Sequence, residues 1–471
     1  MVNQFARFCV VYSNNLANID ESFMGPKATE IQTDELFLMR LDGQLKMSHP
    51  LIKLANTLDW SAVEKEFAGY FVSTRGRPAL PPRLVAGLLY LQHAFNASDE
   101  AVVSTWLENP YWQYFTGETY LQTELPIDPS SLTRWRKRLG EAGVELLLGL
   151  TIDCAKQLMV VQEKSLDRVI VDTTVMPKAI AHPTDSALLE TARVHMVAFA
   201  KEHNLALRQN YNKEAPRLAI QVGRYAHARQ YKRMHGALRK LKSRVGRIHR
   251  EIIRQFEQVP PAAEQIGFEL LQKVERILTQ KPKDKNKLYS LHAPEAECIS
   301  KGKARNPYEF GVKVSIATTL KEGLVVGMRS MPGNPYDGHT LHEALEQASI
   351  LADQRPKIAI VDKGYKGVLI DGIQILRSGQ RTQSKTLKKM IKRRSSIEPA
   401  IGHMKMDGRL GRNPLKGAIG DALHAVLCGA GHNLRLILRK LRLFCSPFLS
   451  LLLRNILATL KQNQLAHQVA F

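Results

Sequence analysis

The spacing of apolar positions separates stretches of helical period from stretches of strand period. Residues 1–45 carry no clear period. From residue 50 to about 160 the recurrence is helical. Pro81-Pro82 opens an apolar helix over residues 84–94, with proline near the first turn where its missing N–H does no harm. Ser98 or Asp99 suits the cap of the next helix, which Asn109-Pro110 ends. The aromatic run at 111–117 fits either a plug in a small helical core or a stacking surface for bases. Asp128-Pro129 predicts another helix start, over residues 128–140.

Two short β-branched runs, Val169-Ile170-Val171 and Ile358-Ala359-Ile360-Val361, read as buried strands. Residues 308–316 alternate, putting Phe310, Val312, Val314 and Ile316 on one face. Glu322-Gly323 then turns the chain into a strand over 324–331, which predicts an antiparallel hairpin. A helix over 340–351 and a short strand over 373–376 follow the same reasoning. Between the first strand and this sheet lie about 125 residues of helical pattern: a helix and turn over 182–203, a long stretch over 217–256 and a helix over 264–278. Pro399 is awkward inside a helix, so a restart or kink near Ser395-Ser396 is expected, with Pro399 in the first turn. A glycine-rich basic loop over 407–420 and an apolar helix over 421–441 complete the pattern.

Composition narrows the partners. The chain has 471 residues, enough for two or three domains, and 44% hydrophobic content, ordinary for a globular protein. Its 67 basic against 44 acidic side chains give a formal charge of +23, which favours polyanions: nucleic acid or an anionic membrane face. No run of about 18 apolar residues indicates a membrane span, and the first 25 residues lack a signal-peptide layout. The five cysteines are far apart without C-x-x-C, which argues against a zinc site or disulfide framework and suits a reducing cytosol.

The charge is concentrated. Residues 217–256 hold twelve Lys/Arg and one acid, Glu251. Arg229, Lys232, Arg233, Arg239, Lys240, Arg244 and Arg247 recur too often for one narrow stripe, which favours contact with DNA phosphates over a merely solvated face. The helix after Asp128 presents Arg134, Arg136, Lys137 and Arg138, either as a solvated basic face or as the phosphate-contacting helix of a DNA-binding unit.

Candidate chemistry rests on three acids. Asp172 closes the first buried run and Asp362 the second. An acid at the end of a buried strand is costly unless paired or bound to a metal. Glu398 lies four positions after Arg394 and seven before Lys405, which on one helix puts all three on one face. Alone, each acid also fits a cap, a turn or a surface ion pair. Together they suit hard divalent cations, and two ions about 3.5–4 Å apart suit phosphodiester chemistry.

These motifs resemble the DDE transposases of bacterial insertion sequences, in the insertion-sequence-four and -five superfamily. Asp172-Thr173-Thr174 matches the family's D-T-T-like motif and Asp362-Lys363-Gly364-Tyr365 its D-x-G-Y motif. Arg394, Glu398 and Lys405 match the spacing around the family's glutamate, with Ile391 standing where the family has tyrosine. The segments at 181–186, 333–341, 407–417 and 428–434 are also family-like, and the resemblance spans roughly residues 46–443. It implies an α/β fold: an RNase H-like mixed-sheet catalytic domain over 161–443, with a basic α-helical insertion at about 177–300. An all-α DNA-binding domain over 46–160 precedes it, with an arm at 1–45 and a tail at 444–471. It further implies that Asp172, Asp362 and Glu398 hold two Mg²⁺ or Mn²⁺ ions, with Arg394 and Lys405 beside the reacting phosphate. His403 is a weaker candidate, since a lone histidine in a helix is usually structural or a phosphate donor. Cleavage of transposon ends, strand transfer into target DNA, a homodimer on DNA and a cytoplasmic, nucleoid-associated location follow from the same resemblance. Two alternatives stay open: an RNase H-like nuclease without strand transfer, and a decayed transposase acting as a DNA-binding regulator.

Overall fold

The computed structural model describes residues 39–71, 80–285, 287–300, 307–381 and 384–445. The expected N-terminal arm up to residue 38, and the tail from residue 446, lie outside the described residues.

The sheet is built on β1 (Arg168–Pro177). This strand pairs antiparallel with β3 (Tyr308–Thr319), from Val169↔Thr319 to Pro177↔Gly311. Its other edge pairs parallel with β5 (Ile358–Val361), but only as far as Ile170↔Ile360. β6 (Gln374–Arg377) continues in parallel beyond β5. The free edge of β3 is shared by β2 (Glu297–Ser300) and β4 (Val325–Met331), both antiparallel, so the sheet is mixed. The expected hairpin is β3–β4, and Gly323 takes φ 72° in its turn, a conformation that favours glycine. β2 was not foreseen. Its four residues, Glu-Cys-Ile-Ser, bury only Ile299, too little apolar periodicity to mark a strand.

Before the sheet come helices α1 (Leu41–Gln44), α2 (Pro50–Thr57), α3 (Trp60–Ala68), α4 (Pro82–Ala94), α5 (Asp99–Glu108), α6 (Pro110–Phe115) and α7 (Pro129–Gln157), then a single turn, α8 (Glu163–Leu166). The caps are those the sequence predicts. Ser98 accepts from the Ala101 amide, and Asp128 from Ser130 with Pro129 following. Gly140, at φ 61°, divides α7 into two helical pieces. Trp112 and Phe115 of the aromatic run are buried, so these two rings serve the core. After β4 come α13 (Asp337–Ala352), α14 (Lys385–Arg393), a 3-10 turn over Arg394–Ser396, α15 (Ile397–Met406) and α16 (Gly417–Cys445). The 3-10 turn is the restart that Pro399 predicts.

One hydrophobic core joins Leu88, Trp106, Leu147, Val171, Val314, Met328 and Ile437, so α3–α7, one face of the sheet and α16 pack together. A smaller patch on the opposite face joins Ile170, Ile360 and Leu376 to Met390 and Ile397 of α14 and α15. Between β1 and β2 the chain forms α9 (Asp185–Glu202), α10 (Glu214–His227), α11 (Tyr231–Arg254) and α12 (Pro261–Thr279), with a core of their own around Met196, Leu241, Val245 and Val274. The stretch expected as one helix over 217–256 is therefore two, broken where Arg229 takes φ 56°. Their basic side chains also leave room for an apolar stripe: Ala237, Leu241, Val245, Ile248 and Ile252 are all buried along α11.

Candidate active site: three carboxylates around one arginine

The register of β1 and β5 decides where the first two acids lie. Ile170 and Ile360 are partners, and Asp172 and Asp362 each follow two residues later. Side chains alternate along a strand, so both acids leave the face on which Ile170 and Ile360 are packed. That is the face covered by α14 and α15. Asp172 closes the apolar run Val169–Val171 but lies inside its strand, because β1 runs on to Pro177 against β3. What ends there is β5, which leaves the β1 edge open beside Asp172. The acids thus sit at the carboxyl end of a parallel strand pair, where α/β sheets collect ligands.

The turn between α14 and α15 delivers the third acid and its cation. Arg394 Nη2 donates to Asp172 Oδ2 at 2.7 Å. Its Nη1 lies 3.3 Å from Glu398 Oε1 and 3.7 Å from Asp362 Oδ1. One guanidinium is shared by three carboxylates. Arg394 and Asp172 are 15% exposed, against 46% for Asp362 and 62% for Glu398, so the site is closed at its base and open at its mouth. Burial raises the Asp172 carboxyl above its ordinary pKa and the neighbouring Asp362 adds to this, while Arg394 and the Thr173 amide oppose it. Ile391 packs half-buried against the apolar patch beneath the site.

Asp337 and Lys313, which the sequence did not single out, also border this centre. Asp337, at the start of α13, accepts from Thr173 Oγ1 at 3.0 Å and from Lys313 Nζ at 3.0 Å. Lys313 also donates to the Pro335 carbonyl at 2.7 Å. Tyr365 is buried, and burial with Asp337 and Asp172 nearby raises its phenol pKa, keeping it protonated. Asp337 belongs to the Gly333–Leu341 segment, whose Asp-Gly after Pro-Tyr was the available signal.

Other expected residues lie elsewhere. Lys405 ends α15 with its ammonium 3.8 Å from Glu309 on β3. The 3-10 turn between Arg394 and α15 breaks the single helical face assumed from spacing. His403 is exposed and pairs with Asp407 at 2.6 Å. Arg134, Lys137 and Arg138 are exposed on α7, but Arg136 is not. It is 3% exposed and hydrogen-bonded to Asp99 and Gln92, because its position on the helix faces α4 and α5. Arg229, Lys232, Arg233, Arg239, Lys240 and Arg247 are exposed, while Arg244 is held by Glu214 at 3.0 Å.

Residues 39–138 match the family described as Transposase domain (DUF772), and residues 279–434 match the Transposase DDE domain. The chain belongs to the DDE transposases of insertion sequences. The second match contains Asp362 and Glu398; Asp172 lies between the two matched segments and is joined to the other acids through Arg394. This transposase is also 46% identical over 208 residues to an uncharacterized protein, ORF8 in the nfe locus of Rhizobium meliloti, covering 44% of this chain and all of that one. No solved structure matches it. DDE transposases act on DNA and generally use divalent metal ions. No helix among the described residues is long and apolar enough to cross a membrane.

Proposed function

We propose that this transposase cuts DNA at the ends of an insertion sequence of the four/five superfamily and joins the freed ends to target DNA. The convergence of Asp172, Asp362 and Glu398 on Arg394 supports this reading best. Three carboxylates drawn to one cation are an all-oxygen donor set, which suits Mg²⁺ or Mn²⁺. Two such ions, bound by Asp172, Asp362 and Glu398, would activate the attacking oxygen and stabilise the leaving oxygen. In the first step water attacks the phosphorus at the transposon end. The P–O3′ bond breaks and the end is left with a 3′-hydroxyl. In the second, that hydroxyl attacks a target phosphodiester and displaces a target 3′-oxygen. Asp172 and Asp362 are positioned by adjacent strands, and Glu398 by the helix packed over them. Arg394 would place positive charge for the charge that develops on phosphorus, while Lys405, at the far end of α15, would help position the DNA.

In this proposal the mixed sheet is RNase H-like, with α9–α12 as its insertion and the helices before β1 as the end-binding unit. Exposed Arg134, Lys137 and Arg138 would contact phosphates from α7, and Arg229, Lys232, Arg233, Arg239, Lys240 and Arg247 from the insertion. A surface hollow lined by Arg208, Arg247, Arg250 and Arg254 supports a phosphate path there. Holding two ends requires two copies of the chain, a homodimer on DNA, at work in the cytoplasm on the nucleoid.

The test uses purified protein and labelled duplex carrying the ends of the encoding element, with Mg²⁺ or Mn²⁺ and a target plasmid. Joined product that disappears in Asp172→Asn and Glu398→Gln, with end binding kept, is the expected result. Cleavage without joining would leave a nuclease, and binding without either reaction a regulator.

A further inference from the structure

Behind the sheet, α4 and α16 bring together three side chains that the DNA chemistry does not use. His93 lies in the last turn of α4; His424 and Cys428 are one turn apart on α16. All three are buried, at 2%, 1% and 2% exposure. A nitrogen or sulfur from each lies within 4.8 Å of the others. Gly431 permits the approach, since a Cβ there would come within 2.5 Å of the His93 carbonyl.

The backbone fixes the histidine tautomers. His93 Nδ1 is 2.9 Å from the Leu89 carbonyl, so Nδ1 carries the proton and Nε2 the lone pair. That Nε2 is buried with no hydrogen-bond partner. His424 Nε2 donates to the Arg409 carbonyl at 3.0 Å, which leaves Nδ1 as its basic nitrogen. The Arg409 backbone also hydrogen-bonds Cys428 in the sense that favours the thiolate. Carbonyls that orient ligating imidazoles are the usual outer partners of a metal site. Without a ligand, an orphaned buried imidazole nitrogen is destabilising.

We propose that His93, His424 and Cys428 form a binding site for a thiophilic d¹⁰ cation, Zn²⁺ or Cu⁺, which ties the N-terminal helices to α16. Two imidazoles and one sulfur are the donor set such ions take, in preference to Mg²⁺ or Ca²⁺. Burial keeps both imidazoles neutral: His93 well below its ordinary pKa, with His424 and Arg409 adding to the effect, and His424 down to about 3. Burial also pushes the Cys428 thiol up to about 12, so the sulfur–metal bond forms as the thiol proton leaves to solvent base. Arg409, Arg136 and Arg435 lie close enough to act on these groups, and Lys178 acts on His424. Their charge favours the thiolate and disfavours excess positive charge at the ion. The same charges match Cu⁺, whose one charge the thiolate cancels, better than Zn²⁺, which retains one.

The experiment loads metal-stripped, full-length protein under anaerobic conditions, with Co²⁺ standing in for Zn²⁺ in one arm and Cu⁺ against a colorimetric chelator in the other. One equivalent is expected to bind at this site, beyond any divalent ion held by the DDE carboxylates. In the cobalt arm a sulfur-to-metal charge-transfer band should appear, which the oxygen donors of the DDE site cannot produce. Cys428→Ser should abolish the band, and His93→Gln should weaken binding at least tenfold, with circular dichroism confirming the fold. X-ray absorption of the loaded wild-type protein gives a check that needs no variant: sulfur near 2.3 Å and nitrogen near 2.0–2.1 Å for the zinc form. Binding in either arm with these signatures supports the site and names the ion. An all-oxygen shell, binding indifferent to both substitutions, or no binding in either arm overturns it.

Discussion

Asp99→Ala tests whether the α7 cation at position 136 belongs to the core or to the DNA interface. Arg136 donates to the Asp99 carboxylate and to Gln92 Oε1 at 3.2 Å, and Gln92 Nε2 donates to the same carboxylate at 2.5 Å. The guanidinium is 3% exposed and Asp99 22%. Removing the carboxylate leaves a buried charge with only the Gln92 amide and the more distant Thr133 hydroxyl, at 3.5 Å, as partners, a loss of about 3–5 kcal/mol. At about 2–4 °C per kcal/mol for a large domain, the melting temperature should fall by on the order of 10 °C. Arg136→Met is gentler, because Asp99 can hydrate and a methionine fills much of the same space; a loss of roughly 1–3 kcal/mol is expected. The second readout is DNA affinity against salt. Arg134→Gln, Lys137→Gln and Arg138→Gln should each lower the slope of log K against log salt by about 0.9 for every phosphate left without its cation. Arg136→Met should leave the slope alone. A slope that drops by about one in Arg136→Met, with the melting temperature unchanged, would refute the reasoning.

Two more outcomes follow from the packing around β1. Lys178 lies 2.6 Å from both Asp421 and Glu295, and burial pushes the Asp421 carboxyl up to about 6 against the pull of Lys178. Between an ordinary value near ~4 and about 6 the folded state keeps a proton that the unfolded chain has released, so stability falls as pH rises through that window, by at most roughly 3 kcal/mol. Asp421→Asn should remove this component, read as urea midpoints at pH 4.5 and 7.5; an unaltered pH dependence counts against it. Gly311→Ala would set a Cβ 2.0 Å from the Met176 carbonyl oxygen, a backbone atom that cannot swing aside. The β1–β3 ladder must then spread, at about 1–3 kcal/mol or more, and a thermal scan showing wild-type stability would contradict the register.

Local signals were legible wherever one residue's chemistry decides local structure. Asp128-Pro129, Ser98 and Pro399 set helix starts; Gly323 set the hairpin turn; β-branched runs marked β1 and β5. Each of those choices depends on dihedrals and caps within a few residues. Position across the fold was not legible in that way. Arg136 reads as one basic residue among four on a helix, and only the packing of α4 and α5 over one side of α7 buries it. β2 has too little pattern to announce itself and exists because β3 offers it an edge. The unit expected over residues 46–160 shares its core with the sheet and α16, which no periodicity within those residues can show.

The same division runs through the sites. The sequence by itself determined which side chains are on hand: three acids with an arginine, a basic helical stretch, and scattered histidines and cysteines. The tertiary structure decided which of them meet. The parallel register of β1 and β5 puts Asp172 and Asp362 level, the turn before α15 lays Arg394 across them, and Lys405 is carried toward Glu309. Asp337 arrives from another segment through Thr173 and Lys313. His93 reaches His424 and Cys428 across more than three hundred residues because a glycine on α16 lets two helices touch. Strand register and helix contact are collective properties of a packed core, fixed by the fit of many side chains at once, so they appear only when the chain is folded.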